Sequence, residues 1–190
     1  MSSILFTNAK LKGQDQLQDL YIVDGKFQQI APGLAGQVKA DEVVDVAGKL
    51  VVPPYCDPHL HLDYVFTALN PAAANKTGSL FEGIQRWSET KGHLTKEEIK
   101  DRAKQAMKQE ILTGVQHIRT HVDVTDPKLT ALQAMLELRE EVKDTCTLQI
   151  IAFPQEGMYA YPGGDELVEE ALKMGADLVG AIPHFEYTRE

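Results

Sequence analysis

With 190 residues, 43% of them hydrophobic and 25% charged, the chain has the composition of a folded domain and not of a disordered one. A formal net charge of −9 without any block of Lys and Arg argues against nucleic-acid binding and favours small-molecule partners. Two cysteines, Cys56 and Cys146, without CxxC spacing, an opening MSSILFTNAK that lacks the apolar core of a signal peptide, and no run approaching a membrane span predict a cytoplasmic protein with no membrane partner.

Up to residue 52 the pattern is one of short β-like runs separated by turns: Ile4 to Leu11, then Leu20 to Ile30 with the hairpin signal Asp24-Gly25, then Val43 to Val52 punctuated by Gly48. This predicts a small, mostly antiparallel sheet of β-sandwich type as a first domain, residues 1–52. Leu50, Val51 and Val52 read as a buried strand that stops where Pro53 and Pro54 withdraw two backbone donors. In VVPPYCDPHLHLDY, His59 and His61 then sit just beyond a strand end. Positions two apart in extended chain point to the same side, so the two imidazoles either face one metal or are a pair of surface-loop histidines. An Asp57-Pro58 turn precedes them, and Asp63 follows where it could orient a ligand from behind.

Beyond residue 52 strands and helices alternate. Helices are predicted from Ser79 to about Lys91 and from Lys96 to Thr113. The second has Thr95 and Glu98 as a capping box, an apolar face of Ile99, Ala103, Ala106, Met107 and Ile111, and Gly114 as its stop. A strand Val115 to Val124 follows. Asp126 then caps a third helix with Pro127 in its first turn and an apolar stripe of Leu129, Leu132, Met135, Leu136 and Val142. A strand Leu148 to Phe153, a helix from about Asp165 to Met174 ended by Gly175, and a strand Leu178 to Ile182 complete the series. Such alternation implies parallel strands with right-handed crossovers.

Two α/β folds fit that alternation. A doubly wound nucleotide-binding sheet would carry a glycine-rich phosphate loop after its first strand, and PPYCDPHLHLDY is nothing of the kind. A (β/α)8 barrel places its chemistry at the C-terminal ends of its strands. Here each strand end is polar: His59 and His61, then Thr120, His121 and Asp123, then Gln155 and Glu156, then His184 and Glu186.

The segments PPYCDPHLHLD, GSLFEGIQRW, GVQHIRTHVDV, LQIIAFPQEG and GADLVGAIPHFEYTRE closely resemble the N-terminal half of bacterial cytosine deaminases, members of the metal-dependent amidohydrolase superfamily. FPQEG and IPHFEYTRE are far more specific than His-x-His. The resemblance implies an α/β fold in which a small β-sandwich-type sheet precedes the first four β/α units of a (β/α)8 TIM-type barrel, residues 53–190. It implies that His59 and His61 are ligands of one divalent metal, Zn²⁺ or Fe²⁺, that the Gln155 amide reads the polar edge of a pyrimidine, and that the Leu80 backbone contacts the same substrate. The implied reaction is hydrolytic deamination of cytosine to uracil and ammonia, as in pyrimidine salvage. A related cyclic amidine, such as isocytosine, creatinine or a triazine, is the alternative substrate.

His121, Asp123, His184 and Glu186 are pocket candidates; His121 also reads as a core-edge histidine bonded to a neighbour. Trp87 reads as packing, Cys56 as a packed thiol, and Glu137, Glu140 and Glu141 as a solvated helix face. The family's remaining ligands and its catalytic glutamate belong to strands five, six and eight, so no catalytic residue is expected in this chain. Three arrangements follow: the N-terminal half of an ordinary deaminase, one half of a split enzyme, or a non-catalytic half-barrel. A homo-oligomer or a complementing C-terminal half is the expected protein partner, and the chain alone is expected to be inactive and unstable.

Overall fold

A computed structural model describes residues 2–187, so Thr188, Arg189 and Glu190 of the last quoted segment lie outside it. The chain separates into two compact units, one up to Pro53 and one from Pro54 onward.

The first unit holds β1 (Ser3–Leu11), β2 (Gln18–Val23), β3 (Lys26–Ala31), β4 (Glu42–Asp45) and β5 (Leu50–Val51), in the order β3-β2-β1-β4 with β5 also on β1. The predicted Asp24-Gly25 hairpin joins β2 and β3, and both turn residues take the left-handed conformation (φ 49° and 75°) that matches the twist of the strands. The sheet is mixed and not mostly antiparallel, because β4 and β5 both run parallel to β1. The segment between β3 and β4 makes that reversal possible. It buries Leu34, whose N–H is held by Asp19 Oδ2 at 2.8 Å, and returns the chain alongside β1 instead of beside β3.

Leu50 and Val51 pair with Lys10 and Leu11 and are therefore the last strand of this sheet, not the first strand of the barrel as predicted. The two prolines mark the boundary. Pairing resumes only at Tyr55, whose N–H reaches the Gly114 carbonyl at 2.9 Å.

The second unit is a four-stranded parallel sheet, β6 (Tyr55–Leu60), β7 (Val115–Asp123), β8 (Thr147–Phe153) and β9 (Leu178–Val179), in that spatial order. Its crossovers carry α1 (Leu80–Lys91) and α2 (Lys96–Leu112), then α3 (Thr130–Val142), then α4 (Gly164–Met174). This is the α/β architecture of a partial (β/α)8 barrel. Strand alternation sends Ile118, Thr120 and Val122 of β7 and Ile150 and Ala152 of β8 into the core. There they meet Ile99 and Met107 of α2, Leu132, Met135 and Leu138 of α3, and Ala171 of α4.

Helix ends follow the sequence closely in α2, where Thr95 and Glu98 form the reciprocal capping box. α3 departs from expectation. Asp126 closes a turn, Leu129 N–H bonding to its carbonyl at 2.8 Å, and Leu129 is left-handed (φ 49°). The helix starts at Thr130, whose N–H reaches the Asp126 carboxylate at 3.0 Å, so the cap acts from across that turn. β9 is also shorter than Leu178 to Ile182. Its partner β8 ends at Phe153, where Pro154 offers no donor, and the chain instead folds into a 3-10 turn at Pro183–Phe185.

Two surface readings change as well. Glu137 and Glu141 are not merely solvated. They interleave with Lys96, Lys100 and Lys104 at 2.5–3.1 Å in a ladder tying α3 to α2, while Glu140 pairs locally with Lys143. Cys56 is exposed, not packed, because its position on β6 places it with His117, Arg119, Thr147 and Gln149 around a shallow depression on the sheet face away from the helices; Cys146 is the buried thiol.

Candidate metal and substrate site

The site begins with an irregularity in β6. Asp57 pairs with Ile118 and Leu60 with Thr120, so β6 carries one more residue than β7 between those pairs. The bulge falls at Pro58 and His59, where Pro58 has no N–H to donate and the Asp57 carboxylate takes the His59 N–H at 3.0 Å. A bulge re-aims the side chain it carries. His59 and His61 end with ring centroids 5.3 Å apart, and His121 from the next strand stacks on His59 at 4.0 Å. His59 thus lies within β6 and His61 directly after it, a step earlier than the sequence reading placed them. Phe153, at the end of β8, stands edge-on to both His61 and His121 at 5.7 Å.

His61 is held in one tautomer. Its Nδ1 lies 2.9 Å from the carbonyl oxygen of His121, and since a carbonyl only accepts, Nδ1 carries the hydrogen and Nε2 keeps its lone pair. Burial lowers its pKa to about 4, with the neighbouring imidazoles adding to the effect, so the ring is neutral at pH 7. Burial lowers the His121 pKa too, and the His121 Nδ1 is buried without a hydrogen-bond partner among the described residues. The neutral His61 imidazole with its orienting carbonyl, beside His59, fits part of a divalent-metal shell. Among the described residues no set of three His, Cys, Asp or Glu side chains completes one.

Asp63 does not orient either histidine. It is fully buried, accepts the Asp123 N–H at 2.9 Å, and has its pKa raised to about 7 by burial, against the hydrogen bond from Asp123. Arg102 of α2 fixes the turn after His61 by donating to the carbonyls of Asp63 and Val65, each at 3.0 Å.

Beside the histidines lies a cavity of about 530 Å³, lined by Tyr64, Phe66, Leu80, Ile84, Trp87 and Gln155 among others. Tyr64 connects the two features, stacking on His61 at 4.7 Å while forming part of the cavity wall. Leu80 opens α1, lines the cavity and is 70% exposed. Gln155 is 4% exposed and lines the cavity.

The other predicted pocket residues stand elsewhere. Asp123, 1% exposed, faces inward and accepts from Trp87 Nε1 at 2.8 Å, Lys91 Nζ at 2.9 Å and Thr125 Oγ1 at 2.5 Å. Glu186 collects the backbone N–H groups of Met158, Tyr159 and Ala160, and so clamps the loop after β8. His184 packs against Phe81 at the start of α1, 5.3 Å between ring centroids. Trp87 does more than pack, since it joins the cavity wall to Asp123. Lys91, Tyr64 and Phe153 were not anticipated; the signal available for Lys91 was its place one helical turn after Trp87 on the same face.

The amidohydrolase family model matches residues 42–144. N-isopropylammelide isopropyl amidohydrolase of Pseudomonas sp. (strain ADP) is 33% identical over 94% of this chain and 45% of its own length. Among solved structures, 5-methylcytosine deaminase from Klebsiella pneumoniae, liganded with 5-fluorocytosine, superposes with a TM-score of 0.89 at 47% identity, over 97% of this chain and 45% of that one. N-isopropylammelide isopropylaminohydrolase from Burkholderia multivorans follows the same course with a TM-score of 0.80 at 31% identity, over 95% and 45%. The chain therefore spans about half the length of these relatives. With a family match across more than half of its residues, continuous through the histidine pair and the first helices of the cavity, the chain belongs to the amidohydrolase family.

Proposed function

We propose that this chain forms the metal- and base-recognition half of an enzyme that hydrolyses cytosine to uracil and ammonia. The observation that carries the proposal is the junction at Tyr64: the histidine pair, with His61 neutral and its Nδ1 hydrogen held by the His121 carbonyl, adjoins a cavity lined by Gln155. A carboxamide offers both a donor and an acceptor, as the edge of a cytosine ring does, and apolar walls from Phe66, Leu80, Ile84 and Trp87 suit the faces of a flat heterocycle. The likeness to a deaminase liganded with 5-fluorocytosine, at 47% identity, favours a cytosine over the triazine of the more distant relatives.

His59 and His61 would hold one divalent ion, Zn²⁺ or Fe²⁺. When bound, that ion supplies the Lewis acidity that makes water a nucleophile near neutral pH. His61 keeps its proton on Nδ1 through the His121 carbonyl; Leu80 and Gln155 seat the ring; Phe153 and Tyr64 exclude bulk water from the imidazoles. The proton-transfer groups are proposed to come from outside these 190 residues, in further sequence of the same protein or in a partner chain.

The alternative is hydrolysis of an N-alkylated triazine, favoured by the 33% and 31% identities to N-isopropylammelide enzymes. The test uses the enzyme completed by the sequence or partner chain that supplies the proton-transfer groups, and compares ammonia release from cytosine and 5-methylcytosine, and amine release from N-isopropylammelide, with Zn²⁺ and with Fe²⁺, in wild type and in Gln155→Ala. The proposal expects cytosine-type substrates to be preferred and Gln155→Ala to lose most of that preference. Preference for the triazine, or a Gln155→Ala loss confined to it, sinks the cytosine assignment.

A further inference from the structure

Behind the cavity wall lies a closed polar cluster built around Lys91, the last residue of α1, whose side chain is only 10% exposed. Its three ammonium hydrogens meet three acceptors: Asp123 Oδ2 at 2.9 Å, Thr125 Oγ1 at 2.9 Å, and Glu156 Oε1. The ring of Tyr161 covers the ammonium from a further side, 5.7 Å from its centroid. Trp87 and Ser88 of the same helix join in, Trp87 donating to Asp123 and Ser88 Oγ to Glu156 at 2.9 Å. One face of α1 is thus fastened to the end of β7 and to the loop after β8, while the adjoining face of that helix, with Leu80, Ile84 and Trp87, forms the cavity wall.

Gln155 sits between the two carboxylates. Its own N–H points to Asp123 Oδ1 at 3.4 Å, and the next residue is Glu156. Its placement depends on a backbone held through Asp123 on one side and Glu156 on the other. Lys91 is the cation that holds both. An apolar side chain would fill that space without the cost of desolvating an ammonium and two carboxylates, so stability alone does not account for an ion cluster there.

We propose that Lys91 is a positioning residue for Gln155: by bridging Asp123 and Glu156 it locks the cavity face of α1 to the loop carrying Gln155, and so sets how tightly the polar edge of the ring is held. The inference rests on the reading of the cavity as a pyrimidine site. Without the ammonium, Asp123 and Glu156 face one another uncompensated, with the Asp63 carboxyl bonded to the Asp123 N–H close behind, and the loop between them loosens.

Two readouts test it in the purified protein. The first needs no ligand: hydrogen exchange at the Gln155 N–H and the Trp87 indole N–H, with the Ile118 N–H in the middle of β7 as an internal control. Lys91→Met is expected to speed exchange at the two reporters by about tenfold and leave Ile118 unchanged, the signature of local and not global opening. The second is the Kd for cytosine, read by the fluorescence of Trp87, the only tryptophan of the chain; Lys91→Met is expected to weaken it by about tenfold. Glu156→Gln cuts the same link from the other side, and Lys91→Met/Glu156→Gln is expected to be no weaker than Lys91→Met alone. If Lys91→Met does not fold, Glu156→Gln decides by the same two readouts. Wild-type exchange at Gln155, or an unchanged cytosine Kd alongside faster exchange, overturns the proposal even if the melting temperature falls. Failure of the wild-type protein to bind cytosine overturns the pyrimidine reading instead, and exchange at Gln155 then decides the brace.

Discussion

The imidazole of His61 and the main chain of His121 act together: the Nδ1–H of one donates to the carbonyl of the other across neighbouring strands at 2.9 Å. The His61 ring is oriented by backbone, not by a second side chain. His59→Asn and His61→Asn are therefore each expected to weaken Zn²⁺ binding by about 10- to 100-fold, whereas His121→Ala, which keeps the carbonyl, should weaken it less than either. Competition with a chromophoric chelator measures all three; a loss in His121→Ala as large as in His61→Asn contradicts the backbone account.

His61 and Asp63 pull stability in opposite directions with pH. His61 titrates near 4 when folded and near 6.5 when unfolded, so its neutral form contributes stability above 6.5 that is lost as pH falls toward 4. Asp63 titrates near 7 when folded and near 3.8 when unfolded, so its protonated form contributes stability below 3.8 that is lost as pH rises toward 7. The effect is bounded at about 3 kcal/mol for His61 and about 4 kcal/mol for Asp63, so the two largely cancel in the metal-free protein. Asp63→Asn should leave a protein that weakens in acid, and His61→Gln one that strengthens; urea midpoints from pH 4 to 7 in chelator decide it. Parallel slopes in the two variants would refute the assignment.

A Cβ on Gly164 would collide with the Met158 carbonyl oxygen and stand 2.9 Å from that of Gly157, both backbone atoms that cannot swing aside. Gly92, following α1, has a helical φ of −67° and open space where its Cβ would be. Gly164→Ala is expected to destabilise by about 1–3 kcal/mol, and Gly92→Ala to be neutral or slightly stabilising. Thermal melts of the two variants compare them directly, and equal midpoints would show that the loop after β8 yields without cost.

The two thiols should separate cleanly. Cys56 is exposed, while Cys146 is buried and its thiol pKa is raised by that burial. A chromogenic disulfide reagent is expected to titrate one equivalent quickly in native protein and the second only on unfolding. Two fast equivalents would place Cys146 at the surface.

Much of the second unit could be read from residue pattern because its information is local. Thr95 and Glu98 announce α2, Gly175 stops α4 with a φ of 116°, and the apolar spacing of Ile99, Ala103 and Met107 gives the buried face. What escaped reading depends on partners distant in sequence. Leu50 and Val51 look like a barrel strand until Lys10 and Leu11 claim them. Asp123, His184 and Glu186 look alike as polar strand ends, yet one faces a buried lysine, one an aromatic ring and one a row of amides. Of the predicted site, His59, His61, Leu80 and Gln155 stand at the histidine cluster or the cavity, because their placement follows from position at a strand or helix end. The role of Lys91 needed the fold, since nothing near it in sequence reveals the two carboxylates it joins.

The clamp formed by Glu186 gives the site a chronology. The contact between His61 and His121 becomes available once β7 has been synthesised, and Lys91 can engage Asp123 soon after. Glu156 follows with β8, but the amides of Met158, Tyr159 and Ala160 have no carboxylate to receive them until residue 186 has been made. A nascent chain can thus gather its histidines well before it secures the loop beside Gln155.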